Sequence, residues 1–230
     1  GRGKLELAKI EPGHIAVVAV SPGHGISRIF ASLGVAALVE GGQTMNPSPK
    51  DILDAFESLP TDNVIILPNN KNIVLAAQQA KEVTVKNVHV VPSRSIPQGL
   101  AAMLQLEPDG DLAQVAAKME KSLSGVITGE ITIATRSVEI DSVTVKEGEV
   151  IALLDGKLVV AAQSLEQACQ RLLKKAAAAD HELITLFYGQ DLSHPEANRI
   201  ADEIRTAYPA QEVELQEGGQ PHYQLILSIE

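Results

Sequence analysis

The chain has 230 residues, 45% of them apolar and only 3% aromatic, with no Trp and a formal net charge of −10 at pH 7. That length and apolar fraction support one large α/β domain or two small lobes around an aliphatic core, and exclude a disordered chain. An acidic surface repels phosphate backbones and anionic lipid, so no nucleic-acid partner is expected, and no run of about 18 apolar residues offers a stable membrane insertion. The single cysteine, Cys169, can form no internal disulfide and fits a reducing, cytoplasmic location. No signal peptide is recognisable. The chain opens Gly1-Arg2-Gly3 without Met, and the expectation is a piece of a longer protein.

In chain order, residues 15–20 form a continuous apolar run and predict a buried strand. Ser21-Pro22-Gly23-His24-Gly25 follows, then a helical pattern over 26–33. Residues 35–39 predict the next strand, followed by Gly41-Gly42-Gln43-Thr44-Met45-Asn46-Pro47-Ser48 and a helix over 50–59. A strand at 63–67 leads into Pro68-Asn69-Asn70-Lys71-Asn72 and a helix over 73–82. A strand at 88–91 closes the series before Ser93-Arg94-Ser95-Ile96-Pro97-Gln98-Gly99. Short β-branched runs alternating with amphipathic runs indicate βαβ units, hence a parallel, doubly wound sheet with helices on both faces.

Glu107-Pro108-Asp109-Gly110-Asp111 marks the expected boundary between a parallel α/β lobe, 1–108, and a mixed-sheet lobe, 109–230. Asp111 is placed to cap a helix over 112–123. Residues 127–134 alternate: Ile127, Gly129, Ile131 and Ile133 share one face. Short strands are predicted at 142–145, 149–154 and 157–161, with Asp155-Gly156 as a hairpin turn. A helix over 165–178, a strand at 183–187 and a helix over 195–208 follow, with Pro195 in its first turn. Strands at 212–215 and 223–229 end the chain, joined through Gly218-Gly219-Gln220-Pro221.

Ligands of doubly wound sheets sit beyond the carboxyl ends of the strands. Four polar loops fall on that edge here, each between a strand and a helix whose free N–H groups favour an anion. Ser21, Gly23, His24 and Gly25 make a tight turn that lacks the Lys-Ser/Thr ending of a phosphate loop and the third glycine of a dinucleotide fingerprint. Gly41 and Gly42 permit close backbone approach, while Gln43, Thr44, Asn46 and Ser48 offer neutral donors and acceptors. Ser48 also suits a helix cap with Pro49 in the first turn. Asn69 and Asn70 tolerate left-handed backbone angles, Lys71 is the loop's only cation, and Asn72 is placed to cap the next helix. Ser93, Arg94, Gln98 and Gly99 belong to the fourth loop. From the residues alone, turn and cap stand beside ligand or partner surface. The six histidines show no metal-ligand spacing, no Gly-x-Ser-x-Gly elbow occurs, and no acidic pair is set for acid–base work or Mg²⁺. No catalytic residue and no metal ligand is therefore assigned.

The motifs SPGHGISRIFASLGV, GGQTMNPS, LPNNKNI, VPSRSIPQGLAAML, TGEIT, LLDGKL and GGQPHY occur in this order. Together they resemble the C-terminal region of the fatty acid kinase A subunit, the YloV or DAK2-fusion family, over nearly the whole chain. His24 stands where that family commonly has an acidic residue. The resemblance implies a DegV-like fold and a bacterial, cytoplasmic protein. It further implies that a separate N-terminal domain, similar to the ATP-binding subunit of dihydroxyacetone kinase, carries ATP and Mg²⁺; no cofactor is expected in this chain. The full-length protein would phosphorylate the carboxyl group of a fatty acid presented by a DegV-like fatty-acid-binding partner, feeding phospholipid synthesis. This chain would then dock that partner or organise a homodimer, with no catalysis of its own. The alternative is a small-ligand domain that binds a fatty acid or another anion itself.

Overall fold

The computed structural model describes residues 3–230, and the chain divides after Gly125 into two compact units. The first contains β1 (Ile15–Ser21), α1 (His24–Leu33), β2 (Ala37–Glu40), α2 (Pro49–Phe56), β3 (Asn63–Leu67), α3 (Val74–Glu82), β4 (Asn87–Val90), α4 (Ile96–Met103) and α5 (Leu112–Ser122). Its four strands are parallel, in the order β2-β1-β3-β4. Every residue of β1 is buried, as expected of a parallel strand covered on both faces.

Alternation along these strands sorts the core. Val18, Val20, Val64, Ile66 and Val88 meet Ile52 and Phe56 of α2 and Ala77 and Ala80 of α3. Their alternates, among them Val17, Ala19, Ile65 and Leu67, are buried toward the other face, where α1 touches β1 and α5 touches β3 and β4. Burying side chains such as Phe30 and Phe56 completely stabilises by about 1.5–3 kcal/mol each.

Helix ends follow local chemistry. Gly34 ends α1 in the left-handed region (φ 103°), its N–H donating to the carbonyls of Phe30 and Ala31. Ser48 and Asp51 form a reciprocal capping box on α2, with Pro49 in the first turn. Ser95 caps α4, and Asp111 caps α5 as expected. Lys86 Nζ donates to the Leu59 and Thr61 carbonyls at 2.7 Å each, pinning the segment after α2.

The second unit holds β5 (Ile127–Ile133), β6 (Val138–Ile140), β7 (Val143–Val145), β8 (Val150–Leu154), β9 (Lys157–Ala162), α6 (Leu165–Lys175), β10 (Leu183–Tyr188), α7 (His194–Ala207), β11 (Glu212–Glu217) and β12 (Leu225–Ile229). Six strands form a mixed sheet in the order β11-β10-β12-β5-β8-β9, in which only β10 and β11 are parallel. One core joins α6 (Ala168, Cys169, Leu172) and α7 (Ala197, Ile200, Ile204) to Ile131, Ala152, Leu186 and Leu227. Gly129 lies where a Cβ would strike Leu172 Cδ2, so a bare backbone lets α6 approach the sheet closely. Asp155 (φ 48°) and Gly156 (φ 82°) make the expected hairpin turn between β8 and β9. The short hairpin of β6 and β7 turns on Asp141 and Ser142, both at positive φ. The sequence pattern showed β7 but not β6, whose three residues are too few to show a period.

Candidate functional site

The four expected loops lie together at the carboxyl ends of β1, β2, β3 and β4. In the order β2-β1-β3-β4, connections leave β1 toward β2 on one side, and β3 starts on the other. The crevice of such a sheet opens between β1 and β3. Asn69 occupies that place. It follows β3 at φ 58° and is buried. Its Nδ2 donates to the Val20 carbonyl near the end of β1 at 2.8 Å. Its backbone N–H donates to Ser93 Oγ at 3.0 Å, and Ser93 Oγ donates back to Asn69 Oδ1 at 2.7 Å. Ser93 is fully buried, and its hydroxyl uses both its proton and a lone pair on this one partner. Gly99 of α4 closes the arrangement: a Cβ there would overlap Asn69 Oδ1.

The first two loops are fastened by contact. A Cβ on Gly42 would stand 2.7 Å from Pro22 Cβ, and one on Gly41 would stand 2.7 Å from Pro47 Cδ. Gly42 and Met45 exchange backbone hydrogen bonds of 2.8 and 3.3 Å, which puts Gln43 and Thr44 at an exposed tip. Ser48 is taken up by the α2 cap: its Oγ accepts from Asp51 N–H at 3.0 Å, and its N–H donates to Asp51 Oδ2 at 2.9 Å. Those bonds, the backbone N–H first, hold the Asp51 carboxyl below its usual range. In the first loop, Ser27 Oγ donates to Ser21 Oγ at 2.8 Å, and Ser21 Oγ donates to the Gly23 carbonyl at 3.2 Å. His24 Nε2 lies 2.9 Å from Arg28 Nη2. Guanidinium only donates, so Nε2 is the accepting atom of this contact.

Asn70 Nδ2 donates to Gln43 Oε1 at 3.2 Å, joining the second and third loops at the surface. Asn72 does not cap α3. Its own N–H donates to Asn70 Oδ1 at 2.9 Å, and α3 starts after Ile73 without a side-chain cap. An asparagine two residues earlier thus forms the local turn. In the fourth loop Gln98 Oε1 accepts from Arg94 N–H at 2.7 Å, its N–H donates to Ser95 Oγ at 3.3 Å, and its Nε2 donates to the Leu123 carbonyl at 3.3 Å. Gln98 is thereby held within the unit.

The structure therefore sorts the expected residues into two layers. Ser21, Gly25, Gly41, Asn69, Ser93 and Gly99 are buried and form the floor, with Gly23 and His24 at its edge. Gln43, Thr44, Asn46, Lys71 and Arg94 are exposed, and Asn70 is half-buried beneath them. Sequence reasoning missed Pro22, Ser27 and Arg28; Arg28 stood four residues after His24, a spacing that puts both on one helix face.

The GGQPHY segment of the second unit is a rigid backbone turn. Gln220 is buried, with Nε2 donating to the Phe187 and Tyr223 carbonyls at 3.0 and 3.2 Å. Its Oε1 has no hydrogen-bond partner among the described residues. His222 sits at φ 70°, its carbonyl accepts from Thr132 Oγ1 at 2.6 Å, and burial pushes its imidazole pKa down. Burial also raises the Tyr223 phenol and the Cys169 thiol, so neither ionises at neutral pH. Among the described residues no group of three or more His, Cys, Asp or Glu is placed to hold a metal ion, and no helix is long and apolar enough to cross a membrane.

Among known proteins, DegV-family structures share the fold over 94% of the chain at low identity. They include a Corynebacterium glutamicum DegV family protein (TM-score 0.66, 17% identity, 96% of that chain) and a fatty-acid-binding DegV family protein of Thermus thermophilus (0.62, 17%, 99%). The Streptococcus pneumoniae fatty acid kinase B3 protein, solved with linoleic acid, aligns at TM-score 0.62 and 12% identity over 99% of its chain. Closer in sequence are protein YloV of Bacillus subtilis, 38% identical over 214 residues, and an uncharacterized protein of Staphylococcus aureus strain USA300, 38% identical over 222. These matches cover 93% and 96% of this chain but 39% and 40% of the relatives, so the chain spans about two fifths of their length. The model of the FakA-like family, the C-terminal region of FakA-like fatty acid kinase proteins, matches residues 16–230, and the chain belongs to that family.

Proposed function

We propose that this chain is the non-catalytic C-terminal region of a fatty acid kinase. It docks a separate DegV-like protein that carries the fatty acid, so that a nucleotide-binding domain elsewhere in the longer protein phosphorylates the acyl carboxylate. ATP and Mg²⁺ belong to that other domain in this reading. Family membership and the partial coverage of the relatives supply the context. The observation that carries the reading is the two-layered loop edge. Its buried amide and hydroxyl groups bond one another, whereas Gln43, Thr44, Asn46, Lys71 and Arg94 face outward on a rigid base. A pre-organised surface loses little conformational freedom on binding a protein. Calorimetric titration of this chain with the fatty-acid-loaded DegV-like protein of the same organism tests it. A saturable complex is expected; no heat and no co-elution at concentrations of about 100 μM, where a weak complex would still register, overturns the docking role. Sedimentation of the longer protein separately tests whether this region organises a homodimer.

A second reading, in which the chain holds a fatty acid or another anion itself, draws on the fold shared with DegV-family proteins that have fatty acids bound. Against it stands Asn69, whose side chain spans the crevice between β1 and β3 with its polar atoms already bonded. Lipid that copurifies with the chain, together with a thermal shift on adding fatty acid, would favour this second reading.

A further inference from the structure

We infer that the loop edge of the first unit recognises an acidic protein surface, with Lys71 and Arg94 as its charge readers. This rests on the docking role and specifies its chemistry. The chain carries 29 Asp and Glu residues against 19 Lys and Arg, yet no carboxylate falls within residues 21–25, 41–48, 68–72 or 93–99. Those same loops hold Lys71 and Arg94, both exposed, with Arg28 close behind on α1. Among the described residues none of the three pairs with a carboxylate. Two acids flank the edge, Asp51 in the α2 cap and Glu40 at the exposed end of β2, and among the described residues neither forms an ion pair with these cations. The edge is thus a carboxylate-free patch with two exposed cations on a unit whose charges nearly balance, 11 Lys and Arg against 12 Asp and Glu in residues 1–125.

The loops are coupled, so the patch keeps its shape. The Gly42–Pro22 contact, the Asn70–Gln43 bond and the Asn69–Ser93 and Asn69–Val20 bonds tie all four together. Met45, 51% exposed in the tip, adds an adaptable apolar contact, a residue type enriched in interfaces. A small anion fits less well. Ser48 and Ser95 already satisfy a free N–H at the starts of α2 and α4, and the crevice between β1 and β3 is spanned by Asn69. Cations on long flexible stems around uncharged amides suit a broad acidic face, where they speed encounter and exclude wrong partners.

The test titrates the chain and its Lys71→Glu/Arg94→Glu variant with the fatty-acid-loaded DegV-like protein, at about 50 and about 300 mM salt. Parallel sedimentation uses phosphatidylglycerol vesicles. The expected result is a wild-type complex that weakens with salt and a variant at least about tenfold weaker at low salt, with an unchanged unfolding midpoint. Lys71→Ala/Arg94→Ala should give a smaller loss in the same direction. Equal affinity of wild type and both variants, independent of salt, overturns the charge assignment and leaves docking intact. No wild-type complex overturns docking, and this inference with it. Vesicle binding that charge reversal abolishes, with partner binding unchanged, overturns the assignment in favour of a lipid surface.

Discussion

Asn69 combines three demands that few residues meet together: positive φ, a donor aimed at the Val20 carbonyl and an acceptor for the Ser93 hydroxyl. Asn69→Ala removes the side-chain donor to that carbonyl and the acceptor of the Ser93 hydroxyl proton, leaving Ser93 Oγ only the backbone N–H of residue 69, and places a non-glycine, non-amide residue at φ 58°. It should destabilise the chain by about 2–4 kcal/mol, measured by denaturant titration. Gly99→Ala should cost about 1–3 kcal/mol, because Asn69 cannot swing aside without breaking both bonds. If Gly99→Ala is neutral, the close approach is not a constraint. His222 supplies the pH dependence. Burial lowers its pKa in the fold, so the unfolded chain takes up the proton first as pH falls below about 6.5. Stability contributed by the neutral ring is full at pH 7 and is lost as pH drops through that value toward the lower folded pKa. Asparagine tolerates φ 70°, so His222→Asn should flatten the slope of unfolding free energy between about pH 7 and 5. Parallel wild-type and variant slopes would remove His222 as the cause. The importance of Asn69 could be anticipated only in part: a sequence shows that asparagine tolerates positive φ, but not that it faces a carbonyl 49 positions earlier in the chain.

Elements were the most legible scale. The β-branched runs of β1 and β3, the Ser48–Pro49 start of α2, Asp111 before α5 and the Asp155-Gly156 turn all follow from short-range sterics and capping. Where the next element decides, the pattern is silent. Asn72 reads as a cap for α3, but Asn70 turns back onto its N–H first. Gly129 reads as a weak point within β5, yet its missing Cβ admits Leu172 of α6. Gly129→Ala should therefore cost about 1–3 kcal/mol, and Leu172→Ala about 2–5. The double variant should be less destabilised than their sum by at least about 0.5 kcal/mol, since each change relieves the other. Strict additivity in a double-mutant cycle would separate Gly129 from the helix approach.

For the whole molecule, net charge and local charge point in opposite directions. A charge of −10 disfavours non-specific association with phosphate backbones and anionic lipid. The acid-free loop edge reverses that sign over a small area, and fields from such a patch act only within about one Debye length in physiological salt. Salt dependence of the partner complex is therefore the molecule-scale readout of the proposed recognition. The same edge shows why sequence motifs overstate a site: GGQTMNPS and LPNNKNI each mix residues that build the loops with residues that face outward.

The sequence by itself determined the two sheet types, most element starts and the family, because these depend on residue period, local capping and motif order along the chain. It also determined which four loops share an edge, since a parallel sheet puts every strand-to-helix turn on one side. Only the tertiary structure decided which polar residues are floor and which are surface. Asn69, Ser93 and Gly99 are separated by up to 30 positions in the chain, and Val20 lies further still; the hydrogen bonds of Asn69 to Ser93 and Val20, and the close approach of Gly99, exist only once β1, β3 and β4 stand side by side.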